Sequence, residues 1–275
     1  MSRNSKRKLL KMASRTWLSL GALTVLYGMV VTSCVPHVES KAELVGIPVQ
    51  AGHAPQGWNK QRLAHARALW IAESFDDGDS FSAGIAAYEM ASVLHDPKWA
   101  RVAIDRLKIS TTQLPKFSQA YAWLGSAHAL MARDYPVQGA WQVLPGPGFV
   151  RIYHVKTAQV KLNVAVELDP EDPVSRLIRA STFVSMPALF VSHETAMQDF
   201  AQLEIWARQP DINPGYQDVL RSAKWRMDFY RLYAGALQEN KEIQKAKYYW
   251  ALLAAEAETQ ELKELGNWKI ASLTR

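Results

Sequence analysis

The chain contains one thiol, Cys34, and its surroundings indicate which chemistry that thiol undergoes. With a single cysteine in the sequence, an internal disulfide and a cysteine-based zinc site are both excluded. An apolar run from Trp17 to Val31 precedes Cys34, and a basic start precedes that run, an order typical of an export signal. The sequence therefore favours covalent modification of Cys34 during export. The basic residues of the start are Arg3, Lys6, Arg7, Lys8, Lys11 and Arg15.

The segment from Val31 to Cys34 resembles the lipobox of bacterial lipoproteins, in which an aliphatic residue and two small residues precede the cysteine. The resemblance implies that the Cys34 sulfur receives a diacylglycerol, that residues 1–33 are removed, and that the new amino terminus is acylated. At about 0.8 kcal/mol per buried CH₂, two or three acyl chains anchor a protein almost permanently. Val35 replaces the aspartate of an inner-membrane retention signal, so we expect a lipoprotein of the outer membrane that faces the periplasm.

Two alternatives for this amino-terminal segment remain open. The apolar run is shorter than the roughly 20 residues that a spanning helix needs, although a helix that stretches could still act as an uncleaved membrane anchor. Residues 5–11 also resemble a twin-arginine export motif whose first arginine is replaced by lysine. That motif would imply export in the folded state rather than as an unfolded chain.

The positive charge of the chain lies in the predicted signal. The formal net charge is +6 and the isoelectric point is near 9.3, values that would suit a nucleic-acid-binding protein. Residues 1–33 hold six of the 32 basic residues and no acidic residue, so the remainder has 26 of each sign. Without an excess of Lys or Arg, the mature chain has no electrostatic footprint for phosphate, and we expect no nucleic-acid partner.

Residues 34–57 are predicted to form a flexible tether because prolines and glycines interrupt every periodic pattern there. The root-mean-square reach of such a segment is roughly 25 Å, which would hold the folded body away from the membrane. From Trp58 onward, apolar residues recur at three and four positions, and strand-like alternation is nearly absent. The sequence predicts an all-α domain over residues 58–275, with helix starts at Asp96-Pro97, Asp172-Pro173 and Asn213-Pro214.

Small residues in this domain recur with a period of 34, since Ala91 and Gly125 stand at equivalent places in two segments. The series Ala103, Leu107, Ser110 and Pro115 recurs as Ala158, Leu162, Ala165 and Pro170. This pattern resembles the tetratricopeptide repeat, in which small residues let two antiparallel helices pack closely. The resemblance covers about residues 80–260. It implies helical hairpins that form a short α-solenoid or a compact, irregular bundle.

The chain departs from that repeat at two places. Residues 213–234 add a helix for which the pattern offers no partner. An insertion at about residues 134–153 is rich in proline, glycine and aromatic residues, and is predicted to be a loop between two helices. Its large aromatic side chains either bind a partner or merely fill the gap that an irregular hairpin leaves. The candidate binding residues are Tyr135, Trp141, Phe149 and Tyr153.

The sequence favours no catalytic, cofactor or metal site. Ser126 lies in the segment Gly-Ser-Ala-His, which lacks the glycine arrangement of a nucleophile elbow and is predicted to be helical. The acidic turn at residues 76–79 lacks the glutamate that closes a calcium loop, and a helix cap explains it better. The seven histidines show no pair at the spacing of a zinc-binding helix. These histidines are His37, His53, His65, His95, His128, His154 and His193.

Two functional hypotheses follow, and neither is an enzyme. In the first, the protein is a lipid-anchored scaffold whose helical-repeat surface binds another envelope protein. In the second, it resembles the helical-repeat lipoproteins that accompany certain periplasmic solute transporters, and its helices enclose a small molecule. Ten tryptophans and ten tyrosines could line such a passage, although they could equally form an ordinary core.

Replacing Cys34 with Ala tests the predicted anchor, because no other residue could accept the diacylglycerol. We expect the Cys34→Ala chain to accumulate as an unprocessed precursor and to incorporate no fatty-acid analogue, whereas the unsubstituted chain is processed and labelled. Metabolic labelling followed by gel electrophoresis measures both effects. An unlabelled wild-type chain would contradict the lipoprotein prediction.

Overall fold

A computed structural model describes residues 57–74, 78–135, 145–188 and 190–274. These residues form eleven α-helices and no β-strand, which confirms the predicted all-α fold. The predicted signal and tether, with Cys34, lie outside the described residues apart from Gly57. The helices are α1 (Gly57–Glu73), α2 (Ser80–Leu94), α3 (Pro97–Gln113), α4 (Ser118–Asp134), α5 (Pro145–Leu168), α6 (Pro173–Ser185), α7 (His193–Arg208), α8 (Gln217–Arg221), α9 (Ala223–Glu239), α10 (Ile243–Glu256) and α11 (Gln260–Ser272).

Acidic caps start three of these helices as predicted. Asp79 caps α2, and the carboxylates of Asp96 and Asp172 accept hydrogen bonds from backbone N–H groups in the first turns of α3 and α6. Both of the latter helices begin with proline, whose missing N–H costs nothing at that position. The start predicted at Asn213 is wrong for an α-helix. Asn213 instead donates its side-chain Nδ2–H to the Glu171 carbonyl at 2.8 Å, and a short 3₁₀ turn, Pro214–Tyr216, separates it from α8.

Consecutive helices pack into hairpins: α2 with α3, α4 with α5, α6 with α7, and α9 with α10. The first helices of these hairpins also contact one another in succession, α2 with α4, α4 with α6, and α6 with α9. They form one continuous inner surface, and the second helices pack behind them. α1 packs on α2, α11 packs on α10, and α11 also touches α1. The row of hairpins therefore curves until its two ends meet.

Close helix contacts at glycines hold the hairpins together. A Cβ atom on Gly125 of α4 would lie 2.7 Å from Leu162 Cγ and 3.0 Å from the Ala158 carbonyl oxygen on α5. A Cβ atom on Gly84 of α2 would lie 2.6 Å from Leu107 Cγ on α3. Because real Cβ contacts are longer than this, each glycine allows a helix approach that no other residue would permit. Ala158 itself is completely buried, as its predicted packing role requires.

Two sequence-based expectations need correction. The predicted loop at 134–153 is helical in its second half, because α5 begins at Pro145. Phe149 and Tyr153 therefore lie on a helix rather than on a loop. The helix predicted without a partner between residues 213 and 234 corresponds to α8 and α9, and α9 pairs with α10. None of the helices in the described part of the chain is both long and apolar enough to cross a membrane.

The close contact at Gly125 predicts opposite results for two glycine-to-alanine substitutions. Gly125→Ala should destabilise the fold by about 1–3 kcal/mol through overpacking against a backbone oxygen, which outweighs the alanine's better helix propensity. Gly235→Ala, in α9, meets no atom within 4 Å and should stabilise the fold by roughly 0.5–1 kcal/mol. Urea unfolding of both variants measures these changes. A stabilising Gly125→Ala would show that the α4–α5 contact is looser than described.

Candidate functional site

The inner surface of the curved row encloses a groove of 1230 Å³, the candidate functional site. The first helices of the four hairpins, α2, α4, α6 and α9, line most of it. α1 and α5 contribute one rim, and the connection from α6 to α7 contributes part of the wall. Among the groove-lining residues that the structure describes, none belongs to α3 or α10. The groove therefore faces away from α3 and α10.

A chain of hydroxyl groups connects three helices at the floor of the groove. The Thr182 hydroxyl on α6 donates to Ser126 Oγ on α4 at 3.1 Å. Ser126 Oγ–H in turn donates to the Tyr88 hydroxyl on α2 at 2.9 Å. Burial raises the pKa of Tyr88 above its ordinary value, so its hydroxyl keeps its proton. The Tyr88 ring also packs edge-on against Trp123, with ring centroids 4.9 Å apart.

Charged side chains surround one end of the groove. The Arg62 guanidinium on α1 forms an ion pair with the Glu89 carboxylate on α2, with Nε 2.9 Å from Oε2. Arg133 pairs with Asp134 at 2.7 Å. Arg151 on α5 donates to the Tyr135 carbonyl at 3.0 Å, while its buried Nε–H has no hydrogen-bond partner in the described chain. Burial lowers the pKa of Arg151 against the opposing charge of Asp134.

The other end of the groove is formed by α9 and the α8–α9 junction. Arg231 pairs with Asp228 at 3.2 Å, and both side chains line the groove. Trp225 is almost completely buried there and stacks on Phe229, with centroids 5.4 Å apart. Its indole N–H finds no acceptor among the described residues. A buried donor without an acceptor is uncommon in folded proteins, and this nitrogen is also closed off from solvent.

A buried carboxylate holds the wall behind the groove. Asp199 on α7 accepts hydrogen bonds from Arg176 at 2.7 Å and from Arg179 at 2.7 and 2.8 Å, and both arginines lie on α6. Two cations therefore surround one buried anion, and both oxygens of the carboxylate accept hydrogen bonds. The connection between α6 and α7 is ordered by His193, whose Nε2–H donates to the Met186 carbonyl at 2.7 Å. Met186 and His193 both line the groove, so this wall has a defined shape.

Two histidines that the sequence separates meet between α4 and α5. His128 Nδ1 lies 2.8 Å from His154 Nδ1, so one nitrogen carries the shared proton and the other accepts it. Burial, the neighbouring His154 and the charges of Lys108 and Lys161 lower the pKa of His128 to about 3. Burial and nearby cations also lower the pKa of His154. Both rings are therefore neutral at neutral pH.

A second cluster of ionisable groups joins α7, α9 and α10 away from the groove. The Glu204 carboxylate accepts hydrogen bonds from Tyr249 at 2.8 Å, Lys245 at 2.8 Å and Tyr233 at 3.0 Å. Burial alone would raise the pKa of Glu204, but these hydrogen bonds lower it below its ordinary value. None of the four side chains lines the groove. Their arrangement ties three helices together and offers no space for a substrate.

The candidate binding residues from the sequence do not form one site. Tyr135 ends α4 and is partly buried against the core of the first two hairpins. Phe149 and Tyr153 lie one turn apart on α5 and are exposed, but neither lines the groove. Trp141 lies outside the described residues. In the described part of the chain, no three His, Cys, Asp or Glu side chains come together as a metal site.

Sequence reasoning missed the groove-lining residues because their types are those of an ordinary core. A signal for some of them was present. Gly125 marks the packing face of α4, and Trp123, two positions earlier, points to another side of that helix. The histidine pair had no signal, because residues 128 and 154 stand on different helices of an enlarged hairpin.

No protein-family model matches this chain, and no curated protein and no solved structure matches it. Its function must therefore be inferred from its own side chains and shape. The groove combines a large volume with charged side chains at both ends.

The neutral histidine pair predicts a loss of stability in acid. Because the pKa of His128 is about 3 in the fold and 6.5 is its ordinary value, the unfolded chain takes up the proton first as the pH falls below 6.5. Between pH 6.5 and 5 the fold should lose about 1.6 kcal/mol through His128. Urea unfolding at both pH values measures this loss of stability. The His128→Gln variant should not show the loss. The control variant His65→Gln, changed at an exposed position, should lose as much stability as the unsubstituted chain. An unchanged acid dependence in His128→Gln would contradict the assignment.

Proposed function

We propose that this protein is a lipid-anchored scaffold of the bacterial cell envelope that binds an extended segment of another envelope protein in the groove. The observation that carries the proposal is the continuity of the groove across α2, α4, α6 and α9. A compact site between two helices would suit a small ligand. A surface that runs across four helices suits a chain.

The size of the groove supports a chain-like ligand. Small-molecule sites typically have volumes of about 300–1,000 Å³, and this groove has 1230 Å³. Axes of packed helices lie about 8–10 Å apart, so a path across four helices is on the order of 25–30 Å long. An extended chain rises about 3.3 Å per residue, and the path therefore accommodates roughly eight residues.

The chemistry of the lining also suits a peptide. A bound peptide exposes a carbonyl and an N–H at nearly every residue, and each needs a partner once water is excluded. The groove offers the hydroxyl group of Ser92 and the acceptor lone pairs of Ser181 and Ser185, whose own O–H groups donate to backbone carbonyls. Apolar side chains between them, such as Trp123 and Phe190, can take alternate side chains of the ligand.

The amino-terminal sequence supports the location in the envelope. The lipobox-like segment ending at Cys34 implies an acyl anchor, and the tether would allow the folded body to reach partners near the membrane. Without residues 1–33 the chain carries equal numbers of acidic and basic residues. A protein segment is therefore a better partner than a nucleic acid.

A small molecule is the second candidate, favoured by one observation. Because α11 touches α1, the row of hairpins closes on itself and partly encloses the groove. Its wall beside the α6–α7 connection is apolar, with Met186, Phe190 and Met197. An apolar ligand carried for a solute transporter would fit against this apolar part of the groove wall.

Photo-crosslinking distinguishes these candidates. We expect a photoreactive phenylalanine derivative at Ser185, an exposed position on the groove, to form one discrete protein adduct in living cells. The same residue at Ser272, exposed on α11 and outside the groove, should form none. Native mass spectrometry of the purified chain provides the second measurement. A co-purifying small molecule, with no protein adduct from Ser185, would contradict the scaffold and support the transporter accessory.

A further inference from the structure

Two of the cationic side chains that line the groove have no carboxylate in contact. Arg62, Arg133 and Arg231 each form an ion pair. Arg151 on α5 and Lys224 on α9 form none with the residues that the structure describes. Lys224 is exposed, so water solvates its ammonium group, whereas Arg151 is partly buried. Arg151 is therefore the groove cation whose charge is both withdrawn from water and unpaired.

The carboxylate at this end of α4 is already engaged. Asp134 accepts hydrogen bonds from Arg133 Nε at 2.9 Å and from Arg133 Nη2 at 2.7 Å. His95 Nδ1 lies 3.4 Å from the same carboxylate. Burial lowers the pKa of Arg151, and the charge of Asp134 opposes this shift without cancelling it. Arg133 and Asp134 thus form a matched pair, and the positive charge of Arg151 remains.

One hydrogen bond holds the Arg151 guanidinium at the wall of the groove. Its Nη2 donates to the Tyr135 carbonyl at 3.0 Å, which ties the side chain to the end of α4. Its Nε is closed off from solvent, but its Nη1 is not, and Nη1 meets no acceptor in the described chain. Because a guanidinium carries five N–H donors, most of the hydrogen-bonding capacity of Arg151 is unused.

A ligand that fills the groove must compensate this charge. The ligand displaces water from Arg151, and a neutral or basic group placed there would leave a desolvated cation without a partner, which is strongly unfavourable. A carboxylate supplies the opposite charge and acceptor oxygens for Nη1 at the same time. Charge complementarity therefore selects the ligand at this position, although the mature chain as a whole has equal numbers of acidic and basic residues.

We propose that the segment bound in the groove carries a carboxylate that pairs with Arg151. The carboxylate comes from an Asp or Glu side chain or from the carboxy terminus of the segment. Tyr135 holds the guanidinium in position, so the carboxylate also sets the register of the segment along the groove. This inference rests on the proposed binding of a protein segment and adds the chemistry by which that segment is recognised.

The test offers the full-length chain, purified in detergent, two pools of random octapeptides. The peptides of one pool have free carboxy termini, and those of the other are amidated. Peptides that elute with the chain in gel filtration are sequenced by mass spectrometry. We expect Asp and Glu to be enriched over the starting pool and Lys and Arg to be depleted. Acidic enrichment in both pools assigns the carboxylate to a side chain, and recovery from the free pool alone assigns it to the terminus.

Substitutions at Arg151 connect this selection to the structure. Arg151→Gln removes the charge and should weaken binding of the recovered peptides about tenfold, measured by fluorescence anisotropy. Arg151→Lys keeps the charge and should bind more tightly than Arg151→Gln. Arg101→Gln, at an exposed position on α3 outside the groove, should bind as the unsubstituted chain does. The urea midpoint of Arg151→Gln should not fall, because no carboxylate of the described fold contacts this charge.

The outcomes separate this inference from the scaffold proposal. Peptides recovered without acidic enrichment would overturn the inference and leave peptide binding in the groove standing. A lower urea midpoint for Arg151→Gln with unchanged peptide binding would assign Arg151 to the fold alone, which also overturns the inference. Recovery of no peptide from either pool would contradict both proposals.

Discussion

The close approach of paired helices is the constraint on which the rest of the molecule depends. Where Gly125 faces Ala158 and Leu162, the α4 and α5 backbones come so near that a single methyl group would not fit. This spacing determines how the first helices stand side by side. Their inner faces can then form a continuous surface, and the hydroxyl chain from Thr182 through Ser126 to Tyr88 can span three helices.

Polar groups inside the bundle act at the joints between hairpins rather than within its apolar centre. Asp172 caps α6 and also accepts a hydrogen bond from Ser118 at the start of α4, which ties two neighbouring hairpins through one carboxylate. Asp199 joins the two helices of one hairpin, α6 and α7, through the arginines of α6. A buried carboxylate is costly unless several donors surround it, so each of these joints has essentially one low-energy geometry. These hydrogen-bonded carboxylates therefore help to fix the positions of the helices that line the groove.

Helix caps made the starts of helices predictable from the sequence. The groove could not be predicted, because no comparable local pattern marks the residues that line it. Caps such as Asp96 and Asp172 act within a few residues, so sequence located the starts of α3 and α6 correctly. The start of α5 at Pro145 was predicted as part of a loop, because a proline suits both a loop and the first turn of a helix. The groove and the pair of His128 with His154 depend on how distant helices cross, and no spacing within one helix records that.

The contact between α11 and α1 changes how the row of hairpins responds to truncation. In a linear stack of repeats each terminal unit has a single neighbour, so an array frays from its ends and tolerates truncation one unit at a time. Here the terminal helices are neighbours of each other. Each of them therefore has two neighbours instead of one, so the loss of either removes two interfaces and leaves the described array with two exposed ends.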